Sequence, residues 1–339
     1  MPELEPAAPS PPSPRGRALW SARAWVVQGL LALLVGAVGV VLLAGRSPGG
    51  GGFHADVSLG DYDCSQGRVC KLLPKLVRHG TDGSGRVFHY TTNAAGFRSP
   101  ELPPEARTEG ALRVQVYGSS PVFGLGVDDG DTLPEQLARA LAVALPGRQV
   151  EVMNLGLPEN FLVSQLETYD GIGRAYRPDV VVFVQAEATR LSDMNARVRQ
   201  IKQSRVLTAL LATPFGQNLV NRWQNGASEL THLLFGRGMA RVVRGHMERL
   251  AADQRERGTE VVFFQLHGAL DDVRRAVPEG LRWEGLTSGL AYDAYIASPW
   301  VIRGEWHPTA EGHRHFVAMF APAVASALER VAARSAAPR

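Results

Sequence analysis

Four short apolar runs, each followed by a helical pattern, limit what this chain can fold into more than any other feature. "ALRVQVYG" (111–118), "RQVEVMNLG" (148–156), "PDVVVFVQA" (178–186) and "TEVVFFQLHG" (259–268) are near-continuous Val/Leu/Phe stretches of strand length. Strands that read this way are buried on both faces, which is the mark of a parallel sheet covered by helices. The segments between and after them supply those helices. "DTLPEQLARALAVAL" puts Leu133, Leu137, Leu141 and Leu145 on one helical face, and "MARVVRGHMERLAADQRERG" is long and amphipathic. "NFLVSQLETYDGIGRAY" and the closing "PTAEGHRHFVAMFAPAVASALERVAA" also read as helices. The expected architecture is α/β, a three-layer α/β/α sandwich. Sites in such sheets lie beyond the carboxyl ends of the strands, so the turns after Tyr117, Met153 and Gln185 are the ones to inspect. Residues 205–237 break the rhythm and read as a helical insertion that could roof the site.

Ahead of this unit, "RVFHYTTN" alternates like a strand, and further forward the composition changes. Residues 1–23 are expected to be a disordered cytoplasmic tail opening on the proline-rich "MPELEPAAPSPPSP". Residues 24–45, "AWVVQGLLALLVGAVGVVLLAG", hold Gln28 as their one strongly polar side chain, and about 20 apolar residues cross a bilayer. Arg15, Arg17 and Arg23 precede this run and only Arg46 follows closely, which orients the N-terminus to the cytoplasm and the rest outside it. The alternative is a cleaved signal, whose apolar core is shorter, about 7–15 residues. Residues 46–108 read as a linker and an N-terminal segment, and 109–335 as the main domain. Cys64 and Cys70 are the two cysteines. In an oxidising compartment they are expected to pair, with free thiols or half a metal site as the other readings. A net charge of +3 with scattered arginines gives no nucleic-acid footprint. "GLGVDDG" lacks the lysine of a phosphate cradle, and no cofactor is implied. His54 and His79 near the cysteines, and His313 and His315 near His307, offer no familiar metal spacing.

The chemistry centres on "VYGSSPVFGLGVDDG" (116–130), where a strand runs into a Gly-Ser-Ser turn. A serine hydroxyl needs a base to take its proton and donors for the oxyanion. A strand-to-helix junction offers backbone N–H groups at that spot. The other reading of the turn is a plain bend. A base stands late in the chain, in "RGEWHPTAEGHRHF", as His307, with Glu305 two residues before it as a carboxylate to orient the imidazole.

Taken in order, the Gly-x-Ser turn, "VMNLGLPEN", "RPDVVVFV" and the late "HPTAEGH" resemble the SGNH (GDSL-type) hydrolases. The leading "TTNAAGFRSPEL" resembles the Asn-x-x-Gly-Phe-Arg hallmark of one group of them, through Asn93, Gly96, Phe97 and Arg98. The resemblance covers about residues 85–330 and implies a flavodoxin-like sheet. It implies Ser120 as nucleophile, His307 as base and Glu305 as its acid, the other place for that acid falling on Gly304. It also implies an oxyanion and substrate region at Asn154 and Gly156. The chain departs from the pattern at three places: Ser119 replaces the aspartate before the nucleophile, Glu159 stands where a second glycine belongs, and "AEAT" (186–189) puts Ala188 in place of an asparagine donor. Gln185 is the side-chain amide near enough in sequence to substitute. The implied activity is that of an extracytoplasmic serine esterase or O-acyltransferase on acylated cell-surface or exported glycans, beside other envelope or polysaccharide-assembly proteins. The alternative is a catalytically degenerate relative that binds glycan or scaffolds an envelope assembly, with Glu159 and Glu187 giving an acidic rim.

Overall fold

A computed structural model describes residues 61–65, 69–102, 104, 107–186 and 241–336. The expected membrane span at 24–45 and the expected insertion at 205–237 lie outside the described residues, as do Glu187 and Ala188. The centre is a five-stranded parallel sheet of β5 (Leu112–Gly118), β6 (Val150–Asn154), β7 (Val180–Gln185), β8 (Glu260–Gln265) and β9 (Glu284–Thr287). Its spatial order is β6-β5-β7-β8-β9, the flavodoxin-like arrangement. The order reverses between β5 and its neighbours, so a crevice opens beyond the end of β5.

The strands alternate between two cores because side chains leave a strand on opposite faces. Val180, Val182, Val184, Val262 and Phe264 pack on one face against α2 (Leu133–Ala144) and α7 (Ala310–Ala336). Val181, Phe183, Val261 and Phe263 pack on the other against α3 (Leu162–Gly171) and the helix α4 at 241–257. Leu133, Leu137, Leu141 and Leu145 are all buried on the α2 face, as their spacing predicts. The three-layer α/β/α fold is the one read from the sequence. One strand was not legible there. β9 has the half-exposed sequence Glu-Gly-Leu-Thr at the sheet edge, and carries no apolar run to announce it.

Helix α7 is long and apolar enough to cross a membrane, yet half of its most apolar window is buried inside the fold. It packs on α2 and β8 and is therefore a core helix.

The N-terminal segment is built onto this sandwich. Strands β1 (Tyr62–Asp63) and β2 (Lys71–Leu72) pair, and Cys64 and Cys70 between them form a disulfide. Strands β3 (Val77–Thr81) and β4 (Val87–Thr91) form a hairpin. Leu72, Leu76, Phe88, Tyr90 and Phe97 from this segment join the same buried cluster as Tyr117, Phe123 and Leu166 of the main sheet unit.

Candidate active site

Strand β5 ends at Gly118, and Ser119 caps the helical turn α1 (Ser120–Phe123). Pro121 favours helix at that point because its φ is already helical and it has no N–H to satisfy. Gly124 then ends the turn in the left-handed conformation, with φ 92°. Ser120 is 3 % exposed, and its N–H donates to no protein acceptor among the described residues. Its hydroxyl lies at the crevice rim.

His307 comes to the same rim from the loop before α7. Its Nε2 lies 3.0 Å from Ser120 Oγ, and its Nδ1 lies 2.7 Å from Glu305 Oε2. The two-residue spacing works because the backbone doubles back. The Ile302 N–H donates to His307 O at 2.9 Å, the Glu305 N–H donates to Ile302 O at 3.0 Å, and Gly304 takes φ 85° between them. Val301 bridges to Pro308 and Thr309 is tied to Trp300 O, which anchors the loop to the start of α7. The Trp306 ring sits 4.5 Å from the His307 ring, a centroid distance at which it covers one side of the imidazole.

The expected oxyanion side chains are arranged differently. Asn154 is buried; its Nδ2 donates to Val122 O at 3.1 Å, and its Oδ1 accepts the Gly156 N–H at 2.9 Å. Both donors are therefore spent inside the protein, and they hold the β6 turn to α1. Gly156 is demanded there by close approach, since a Cβ would come within 2.5 Å of the Phe123 nitrogen. Gln185, the suggested substitute for the missing asparagine, is also corrected: its amide donates to Gln165 Oε1 at 2.7 Å, and the residue is buried. Glu159 has φ 56°, a left-handed conformation that favours glycine, which accounts for the glycine the resemblance places there.

Arg98 was marked in the sequence only as part of a hallmark; in the structure it is the clasp of the serine turn. It is 4 % exposed and every guanidinium N–H is used. Nε donates to Asp129 Oδ1 at 2.7 Å, one terminal nitrogen to Phe123 O and Gly124 O, and the other to His89 O and Val127 O. Burial lowers its pKa and Asp129 opposes the shift. Asn93 shapes the turn that presents it, accepting the N–H groups of Ala95 and Phe97. Removing the guanidinium strands four carbonyls, so Arg98→Ala is expected to cost about 3–5 kcal/mol of stability by chemical denaturation. Arg98→Lys should recover little, because an ammonium cannot reproduce the planar fork.

No metal cluster of three or more His, Cys, Asp or Glu side chains occurs among the described residues. His313 is instead a core residue whose Nδ1 meets Asp131 O at 2.9 Å. His315 stacks on Trp300 at a 3.5 Å centroid distance.

No family model matches the chain. No curated protein matches it either. In fold it is similar to solved SGNH- and GDSL-type hydrolases. One is a two-domain esterase active on acetylated mannans, with TM-score 0.41 and 10 % identity over 65 % of this chain and 50 % of that one. A second is the SGNH-hydrolase family esterase AlinE4, with TM-score 0.35 and 16 % identity over 66 % and 99 %. A third is a lipase/acylhydrolase from Enterococcus faecalis, with TM-score 0.36 and 14 % identity over 63 % and 96 %.

Proposed function

We propose that this chain is a membrane-anchored, extracytoplasmic SGNH-type serine esterase or O-acyltransferase that acts on acyl esters of cell-surface or exported polysaccharide. The observation that carries the reading is His307 standing between Ser120 at 3.0 Å and Glu305 at 2.7 Å. In this role His307 Nε2 takes the hydroxyl proton as Ser120 Oγ attacks the acyl carbon. Glu305 holds the Nδ1–H tautomer and stabilises the imidazolium that forms. The oxyanion is received by backbone donors, the Ser120 N–H and the Glu159 N–H. The latter stands where the resemblance places the second glycine. The tetrahedral intermediate collapses as His307 returns its proton to the departing sugar hydroxyl. The acyl-serine then passes its acyl group to water or to another hydroxyl, activated by the same imidazole. Residues 24–45 supply the anchor, which keeps the site close to glycan at the membrane surface. The glycan and exported-polysaccharide part rests on the resemblance carried by Asn93, Gly96, Phe97 and Arg98.

A second reading, glycan binding without catalysis, is favoured by the internal engagement of Asn154, Gly156 and Gln185 and by the alanine at 188. One experiment separates the two. The full-length chain in detergent is treated with a fluorophosphonate that reports only activated serines. Esterase action predicts a single adduct on Ser120 that disappears in His307→Ala. A chain that stays unlabelled, and that releases no acetate from acetylated glycans, is the binding protein.

A further inference from the structure

We infer that the turn of the β3–β4 hairpin is part of the active-site support, with Gly83 holding the Glu305 carboxylate against His307. This deepens the esterase reading and rests on it. Gly83 lies outside the sheet and belongs to none of the sequence blocks discussed above. A Cβ placed on Gly83 would meet Glu305 Cγ at 2.7 Å, Oε1 at 2.7 Å and Cδ at 3.0 Å. Its φ lies outside the left-handed region, so the backbone would accept any L residue. Space alone demands glycine here, and the space is occupied by the acid.

Neither backbone can give way easily. The turn is closed by the Asp82 N–H to Arg86 O at 2.9 Å. The Asp82 carboxylate accepts Ser84 N at 2.9 Å, Ser84 Oγ at 2.6 Å and Arg86 N at 2.9 Å. The hairpin is docked on the serine side through the His89 N–H to Asp128 Oδ1 at 2.8 Å and the Thr91 N–H and hydroxyl to Asp129. Opposite it, the 302–307 turn is held by its own hydrogen bonds. The softest element between them is the Glu305 side chain. A methyl at position 83 is most cheaply accommodated by rotating that side chain, and rotation carries the carboxylate off the imidazole. Gly83 is thus a positioning residue that acts through Glu305. The N-terminal segment then supports both halves of the site, Arg98 on the serine turn and Gly83 on the acid.

The test uses the full-length chain in detergent, comparing Gly83→Ala with Ser120→Ala and with Val87→Ala, an exposed change in the same hairpin. Gly83→Ala is expected to lower kcat on an acyl ester about 10- to 100-fold with KM nearly unchanged, less than the ~10⁴-fold loss known for disabling such an acid outright. Its melting temperature should stay within about 2 °C of wild type, since a surface change away from buried contacts costs little. Nitrogen-15 spectra should show His307 losing its fixed Nδ1–H tautomer, a signature independent of turnover. Val87→Ala should change none of these. Wild-type kcat and an unchanged His307 tautomer in Gly83→Ala, with Ser120→Ala inert, would overturn the inference and leave the esterase reading standing. Full activity in Ser120→Ala would instead remove the esterase reading, and the tautomer would still decide the role of Gly83. Should Gly83→Ala fail to fold, adding Glu305→Gly vacates the contested space. Refolding then supports the contact, and continued misfolding overturns it.

Discussion

Ser120→Ala is expected to reduce ester turnover to a residual set by oxyanion donors and binding, a loss on the order of 10³- to 10⁶-fold in kcat. The size of the loss follows from what the hydroxyl does. Without Oγ no acyl-enzyme forms, and His307 can at best activate a water placed where the serine was. His307→Ala should cost about as much, and the double variant little more, because the two act as one unit joined by the 3.0 Å contact. Stability should barely change. Ser120 Oγ makes one hydrogen bond, to His307, and the turn is held by backbone bonds and by Arg98. Steady-state kinetics on an activated acetyl ester, with a denaturation curve for each variant, checks both parts. Equal rates in wild type and Ser120→Ala would end the serine mechanism.

The second large effect concerns acid. His313 is wholly buried at the base of α7 and His267 is nearly so, and burial pushes both imidazoles down to about 4. At His313 the Asp131 carbonyl opposes the shift, while the positive charge of Arg98 and the neighbouring His307 reinforce it. An unfolded histidine titrates near 6.5, so between about pH 6.5 and 4 the unfolded chain binds more protons than the folded one. Stability contributed by keeping these rings neutral is therefore full above pH 6.5 and is lost as pH falls toward 4. The loss approaches about 3 kcal/mol for each ring. Denaturant midpoints across pH 4–7 should fall steeply on the acid side. His313→Asn keeps a donor for the Asp131 carbonyl and removes one titration, so it should lower the slope by about 1.4 kcal/mol per pH unit. An unchanged slope in that variant would show that other groups dominate acid sensitivity.

The reach of the sequence differs between fold and site. Strands β5, β6, β7 and β8 were legible because burial on both faces requires a continuous apolar run, and α2 because Leu133, Leu137, Leu141 and Leu145 repeat at helical spacing. Strand β9 was not, since an edge strand of Glu-Gly-Leu-Thr needs no such run. At the site, Ser120 and His307 were visible as a turn and a loop in the expected order. Whether Glu305 could reach the imidazole depended on the backbone reversal at Gly304, a three-dimensional fact. Gln185 failed as an oxyanion donor for the same kind of reason: a side-chain amide near in sequence finds its partner in space, and Gln165 was there. Arg98 and Gly83 act through carbonyls and free volume, which leave no pattern in the order of residues.

The serine and its base are 187 positions apart. A ribosome that has delivered the hydroxyl has more than half of the remaining chain still to make before the imidazole exists. Even then α7 must dock on α2 and β8 to bring the 302–307 turn to the rim. Every shorter growing chain carries the nucleophile without its proton acceptor, so reactivity toward esters switches on only as the fold is completed.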